Sequence, residues 1–154
     1  MPVDLVLNAH RFVEDVIAGV AEELSDQVVE NQLYDAIKVG DYHILITERA
    51  SGASIRGEYE KEAVDQGLGP QLVLTLDQLK SRGIVETPNL PRRSIPNLPG
   101  HHKIFIQDAV TAEVRYFVTE NQQWLELDRH KQICPKLRIM NVRQFLRVAR
   151  RSSR

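Results

Sequence analysis

Three runs of sequence decide the fold: HKIFIQDAVTAEVRYFVTEN (residues 102–121), WLEL (124–127) and LRIMNVRQFL (137–146). Ile104, Phe105, Ala109 and Val110 recur at helical spacing, so the first run opens as an amphipathic helix. YFVT (116–119) is apolar, aromatic and β-branched, and too short for a helix, which predicts a buried strand. Trp124, Leu125 and Leu127 give a second helix one packed face, with Trp124 expected in the core. LRIM (137–140) predicts another strand, and VRQFLRVARR a closing helix. Strands alternating with helices predict an α/β domain whose parallel sheet is covered on both faces, with right-handed crossovers.

Toward the N-terminus the same alternation holds. VDLVL (3–7) is a strand candidate, and Asn8 stands where a helix cap belongs. Phe12, Val13, Val16, Ile17, Val20 and Leu24 follow at helical spacing. Ser25 is expected to cap a second helix carrying Val28, Val29, Leu33 and Ile37 and ending at Gly40. HILIT (43–47) is the second buried strand. A helix is expected from about Ile55, broken by Gly67 and Gly69-Pro70. QLVLTLDQLKSRG (71–83) then predicts an amphipathic helix closed by Gly83. TPNLPRRSIPNLPGHH (87–102) holds Pro88, Pro91, Pro96 and Pro99, a density that excludes regular helix or a central strand.

The chain has 154 residues, enough for one domain with its own core. Its apolar and charged content is that of an ordinary globular protein. No apolar run approaches the ~20 residues of a membrane span, and MPVDLVLNAH lacks the basic leader of a secretory signal. A lone Cys134 excludes an internal disulfide, is expected to be a buried thiol, and suits the cytoplasm. The formal net charge of −1 hides an asymmetry: no acid follows Asp128, whereas Lys136, Arg138, Arg143, Arg147, Arg150, Arg151 and Arg154 do. Such an end can bind phosphate through counterion release, or simply complement the last turn of a helix. Phosphate-binding glycine loops and Cys/His zinc spacings are absent. Ser51, Ser54 and Ser94 have no partners suggesting a nucleophile, and His43 and His130 are expected to be structural or solvated.

Four short matches carry a family likeness: LVLNAHRFV (5–13), Gly57-Glu58-Tyr59, His102-Lys103-Ile104-Phe105-Ile106, and Thr119-Glu120-Asn121. Together they resemble the PIN domain, a metal-dependent nuclease fold. The resemblance implies a three-layer α/β/α domain over 1–150 with a central parallel sheet of four or five strands. The proline-rich loop 87–101 lies inside it, and 151–154 form a basic tail. It further implies four acidic positions at the carboxyl edge of the sheet, where open α/β sheets bind ligands. In this chain they fall on Asn8, Glu58, His102 and Asn121, so one carboxylate of four is kept, and His10 stands at the family's Asn. The family's acids hold Mg²⁺ or Mn²⁺, which activate the attacking water; asparagine offers a neutral oxygen and no charge.

Three functions follow from the resemblance. In the first, the domain binds RNA or a protein partner, such as an antitoxin-like protein, with little nuclease activity. In the second it is a toxin-like endoribonuclease using Mg or Mn at a rearranged site, with Glu58, Asp108, Asn8 and Asn121 as catalytic candidates and Glu120 and Asp4 in support. In the third, His10, His102 and Glu58, with His101 adjacent and Asp108 one turn on, bind a metal that prefers imidazole, such as Zn, Ni, Cu or Fe. Nucleic-acid contacts are expected at Arg92, Arg93, Thr119, Arg147 and Arg150. A homodimer and no membrane association are also expected.

Overall fold

Leu5, Val6 and Leu7 are consecutive in the VDLVL run, and all are fully buried. Successive strand residues face opposite sides, so this requires a sheet covered on both faces. The computed structural model describes residues 3–50, 53–91, 103–128 and 136–152. Within them β1 (Val3–Leu7), β2 (Tyr42–Leu45), β3 (Val85–Glu86), β4 (Tyr116–Val118) and β5 (Arg138–Met140) form one five-stranded, all-parallel sheet in the order β3-β2-β1-β4-β5. The chain moves outward from β1 to β3, then returns past β1 to β4. That reversal puts the topological switch point between the carboxyl ends of β1 and β4.

Among the described residues six helices connect the strands, α1 (9–24), α2 (Gln32–Val39), α3 (Ile55–Asp65), α4 (Gly69–Ser81), α5 (Ile104–Thr111) and α6 (Gln122–Leu127), and a seventh, α7 (Val142–Ser152), follows β5. The middle of α1, Phe12–Ile17, is π-helical. Helices cover both faces. Phe117 stacks on Phe105 of α5 at 6.0 Å, whereas its neighbour Tyr116 meets Phe145 of α7 edge-on at 6.1 Å. Phe145 also packs against Tyr42 at 5.0 Å, and Trp124 is buried.

Several boundaries differ from the sequence-based expectation. Ser25 ends α1, and α2 opens at Gln32, where the Asn31 side chain accepts from the Tyr34 N–H at 3.0 Å. Val28 therefore stays outside the helix and is 84% exposed. β2 begins one residue early, at Tyr42, which pairs in register with Val3 of β1. The edge strand β3 lies in a stretch assigned no strand. α4 starts at Gly69 because Pro70 sits in the first turn, where its missing N–H costs nothing. Gly83 adopts φ +70°. This lets Gly83 N–H donate to Lys80 O and Ile84 N–H to Leu79 O at 3.1 and 3.0 Å, closing α4.

At the opposite end of α1, Glu23 gathers three donors: Lys38 of α2, the Tyr34 hydroxyl at 2.9 Å, and Arg82 after α4. Gly19 permits this approach of α1 to α2, since a Cβ there would lie 2.5 Å from the Tyr34 ring. Burial raises the Glu23 pKa, but the bonds from Lys38, Arg82 and Tyr34 outweigh it and bring the carboxyl from 4.5 to about 2. A depressed folded-state pKa contributes stability above the unfolded value, and that contribution is lost as pH falls through the folded one. Acid titration should therefore remove stability between pH 4.5 and about 2. Urea denaturation across this window should show Glu23→Gln to be less stable at neutral pH and flatter in its acid dependence. An unchanged profile would separate Glu23 from acid stability.

Candidate functional site

The switch point is built by residues whose first duty is to start helices. Asn8 follows β1, and its Oδ1 accepts from the His10 N–H at 3.0 Å, capping α1. Asn121 follows β4, and its Oδ1 accepts from the Gln123 and Trp124 N–H groups at 2.9 and 3.3 Å, capping α6. The fully buried Thr119 hydroxyl joins them: it accepts from the Asn8 amide at 3.0 Å and from the Asn121 N–H at 3.1 Å. Glu120 Oε1 accepts from the Val142 N–H at 3.0 Å, so it braces the start of α7.

Helix α3 closes the site from the side. Ser54 caps it, accepting from the Gly57 N–H at 3.1 Å. Ile55, Tyr59 and Ala63 face the core. Tyr59 stacks on Phe12 at 4.3 Å and donates to the Leu7 carbonyl at 2.7 Å, which anchors α3 beside the end of β1. Burial pushes the Tyr59 pKa far up, so its hydroxyl remains a donor. Glu58, Lys61, Glu62 and Asp65 then fall on the next face at i, i+3, i+4 and i+7.

Together these elements form a cavity of about 520 Å³ lined by Asn8, Ala9, His10, Arg11, Glu58, Lys61, Glu62, Asp65, Phe105, Glu120 and Asn121. The Glu58 side chain is only 12% exposed and lies 3.8 Å from Lys61 Nζ. His10 Nδ1 sits 3.1 Å from Glu62 Oε1. The structure thus brings Asn8, His10, Glu58, Glu120 and Asn121 into one cavity. Glu62, Asp65, Lys61 and Arg11 were missed as lining residues, although the helical spacing from Glu58 marks the first three.

Asp108 does not line this cavity. It is 2% exposed, and its carboxylate is held by Arg49 in a bidentate pair at 2.9 and 3.1 Å and by the Thr47 hydroxyl at 2.5 Å. Thr47 in turn accepts from the Ile55 N–H at 3.0 Å. Asp108 therefore clamps α5 to the end of β2 and the start of α3, away from the cavity where a metal ligand or catalytic acid was expected. Thr119, expected to contact nucleic acid, has no exposed surface and braces the site through its hydroxyl. Asp4 also lies elsewhere, near the amino end of β1, beside His43 and Glu86. Arg147 and Arg150 are exposed on α7. Arg92, Arg93, His101, His102, His130 and Cys134 lie outside the described residues.

Compared with protein-family models, curated proteins and solved structures, the chain matches none.

Aspartate caps a helix as well as asparagine does. The pair Asn8→Asp and Asn121→Asp should therefore preserve the fold while adding two carboxylates beside Glu58, and tighten Mg²⁺ binding by about tenfold or more in calorimetry. Unchanged affinity would deny the cavity any latent cation site. Asp108→Asn should instead cost roughly 3 kcal/mol of stability, since it leaves the Arg49 charge without its partner. Chemical denaturation measures this, and cavity chemistry should be unaffected.

Proposed function

We propose that this chain is a PIN-like domain that binds single-stranded RNA and hydrolyses it weakly or not at all. The fold class, the parallel sheet and the meeting of Asn8, Glu58 and Asn121 at the switch point are compatible with that family's architecture. One observation carries the loss of chemistry: both asparagine oxygens are already used by helix caps, and Glu120 braces a third helix start. Of the family's acid positions described, Glu58 alone keeps a carboxylate. A hard dication wants several oxygen ligands and their charge. Mg²⁺ or Mn²⁺ bound here would draw mainly on Glu58, helped by the other acids of α3, and would activate water poorly.

Binding is supported by α7. Asn141 Oδ1 accepts from the Gln144 N–H at 2.8 Å, and Gln144 Oε1 accepts from the Asn141 N–H at 2.9 Å, a reciprocal cap that fixes the helix start beside Glu120. Phe145 and Ala149 are buried on the sheet side. Arg143, Arg147, Arg150 and Arg151 are exposed, at spacings that share one side of the helix. A ridge of four exposed arginines suits a phosphate backbone more than a neutral ligand.

Fluorescence anisotropy with a single-stranded oligoribonucleotide tests this. Affinity should fall steeply with salt, and Arg143→Ala with Arg147→Ala should flatten the log–log slope by about 1.4, at ~0.7 per lost phosphate contact. Salt-insensitive binding, or none, would turn the reading toward a protein partner. Robust RNA cleavage abolished by chelator and by Glu58→Ala would replace it with a metal-dependent endoribonuclease.

A further inference from the structure

We propose a second, independent site: Asp4, His43 and Glu86 form a binding site for a divalent transition metal of the zinc class on the α5 face of the sheet. Three neighbouring strands supply one residue each, and register brings them together. Asp4 of β1 pairs directly with His43 of β2. Glu86 of β3 pairs with Leu45, two residues beyond His43 and therefore on the same face. Asp4 shares that face with Val6, the partner of Phe117, so the trio points to the side covered by α5.

One potential ligand atom from each residue lies within 4.8 Å of the other two, and His43 Nδ1 is 2.8 Å from Glu86 Oε1. Zinc ligands at ~2.0–2.2 Å in tetrahedral array stand about 3.3–3.5 Å apart, so small side-chain rotations close the set. One imidazole with two carboxylates is a mixed nitrogen and oxygen set that zinc accepts and that leaves a fourth position for water.

Charge points the same way. Two carboxylates converge on one imidazole, and among the described residues neither pairs with a lysine or arginine. Burial, then repulsion from Glu86 and a hydrogen bond to it, raises the Asp4 pKa, while His43 opposes this. A dication would relieve that repulsion. The trio is half-buried, leaving a route for exchange with solvent.

Zn²⁺ titration calorimetry on the whole chain tests the site. One equivalent should bind, His43→Ala and Glu86→Gln should each weaken binding at least ~10-fold, and Glu58→Gln should leave this step unchanged. A measurement on the unaltered protein guards against variants that fold badly. Substoichiometric Mn²⁺ should broaden amide resonances of residues 3–5, 42–44 and 85–87 before those of 8–10, 58–62 and 120–122. No saturable Zn²⁺ binding at millimolar concentration would overturn the proposal. So would binding unaltered by both cluster variants, or broadening confined to the switch-point cavity.

Discussion

The carboxyl end of β1 is held from several directions, and the site exists because of it. The Leu7 carbonyl accepts the Tyr59 hydroxyl, the Asn8 N–H donates to Val118 O at 3.0 Å, and the Asn8 side chain joins the α1 start to Thr119. These bonds tie α3, β4 and α1 to one point on the central strand. In a parallel sheet every strand must end at an edge where helices begin. The unpaired N–H groups of those helices need acceptors, and Asn8, Asn121 and Asn141 supply them. Such ends are also where ligands gather, so the capping requirement and the binding requirement fall on the same residues.

That overlap explains what the sequence disclosed and what it hid. Asn8 was legible as a cap because a short polar side chain stands between an apolar strand run and helical periodicity. Gly83 and the Phe145 face of α7 follow equally local rules. Ser25 misled because both it and Asn31 are capping types, and Val28 and Val29 extend a helical pattern that the chain does not use. β3 was invisible, since a two-residue edge strand has no period to detect.

Side-chain partners were the least legible. Asp108 follows position 102 closely in sequence and looked available to the cavity, but its partners Thr47 and Arg49 are about sixty residues earlier. No spacing rule links them. Asp4, His43 and Glu86 are likewise scattered, and only the pairing of three strands puts them side by side. Glu62 and Asp65 could have been found, because the helix bearing Glu58 repeats on its own face.

The Glu120 contact to the Val142 N–H has a thermodynamic consequence. Its carboxylate belongs to the cavity wall and to the first turn of α7 at once. Any occupant that drew this oxygen inward would leave an amide at the start of α7 without its acceptor and soften the first turn of the arginine-bearing helix. Linkage makes the effect mutual: whatever stiffens that helix must equally alter affinity in the cavity. Two surfaces joined by one shared side chain would then be coupled without any movement of the sheet between them.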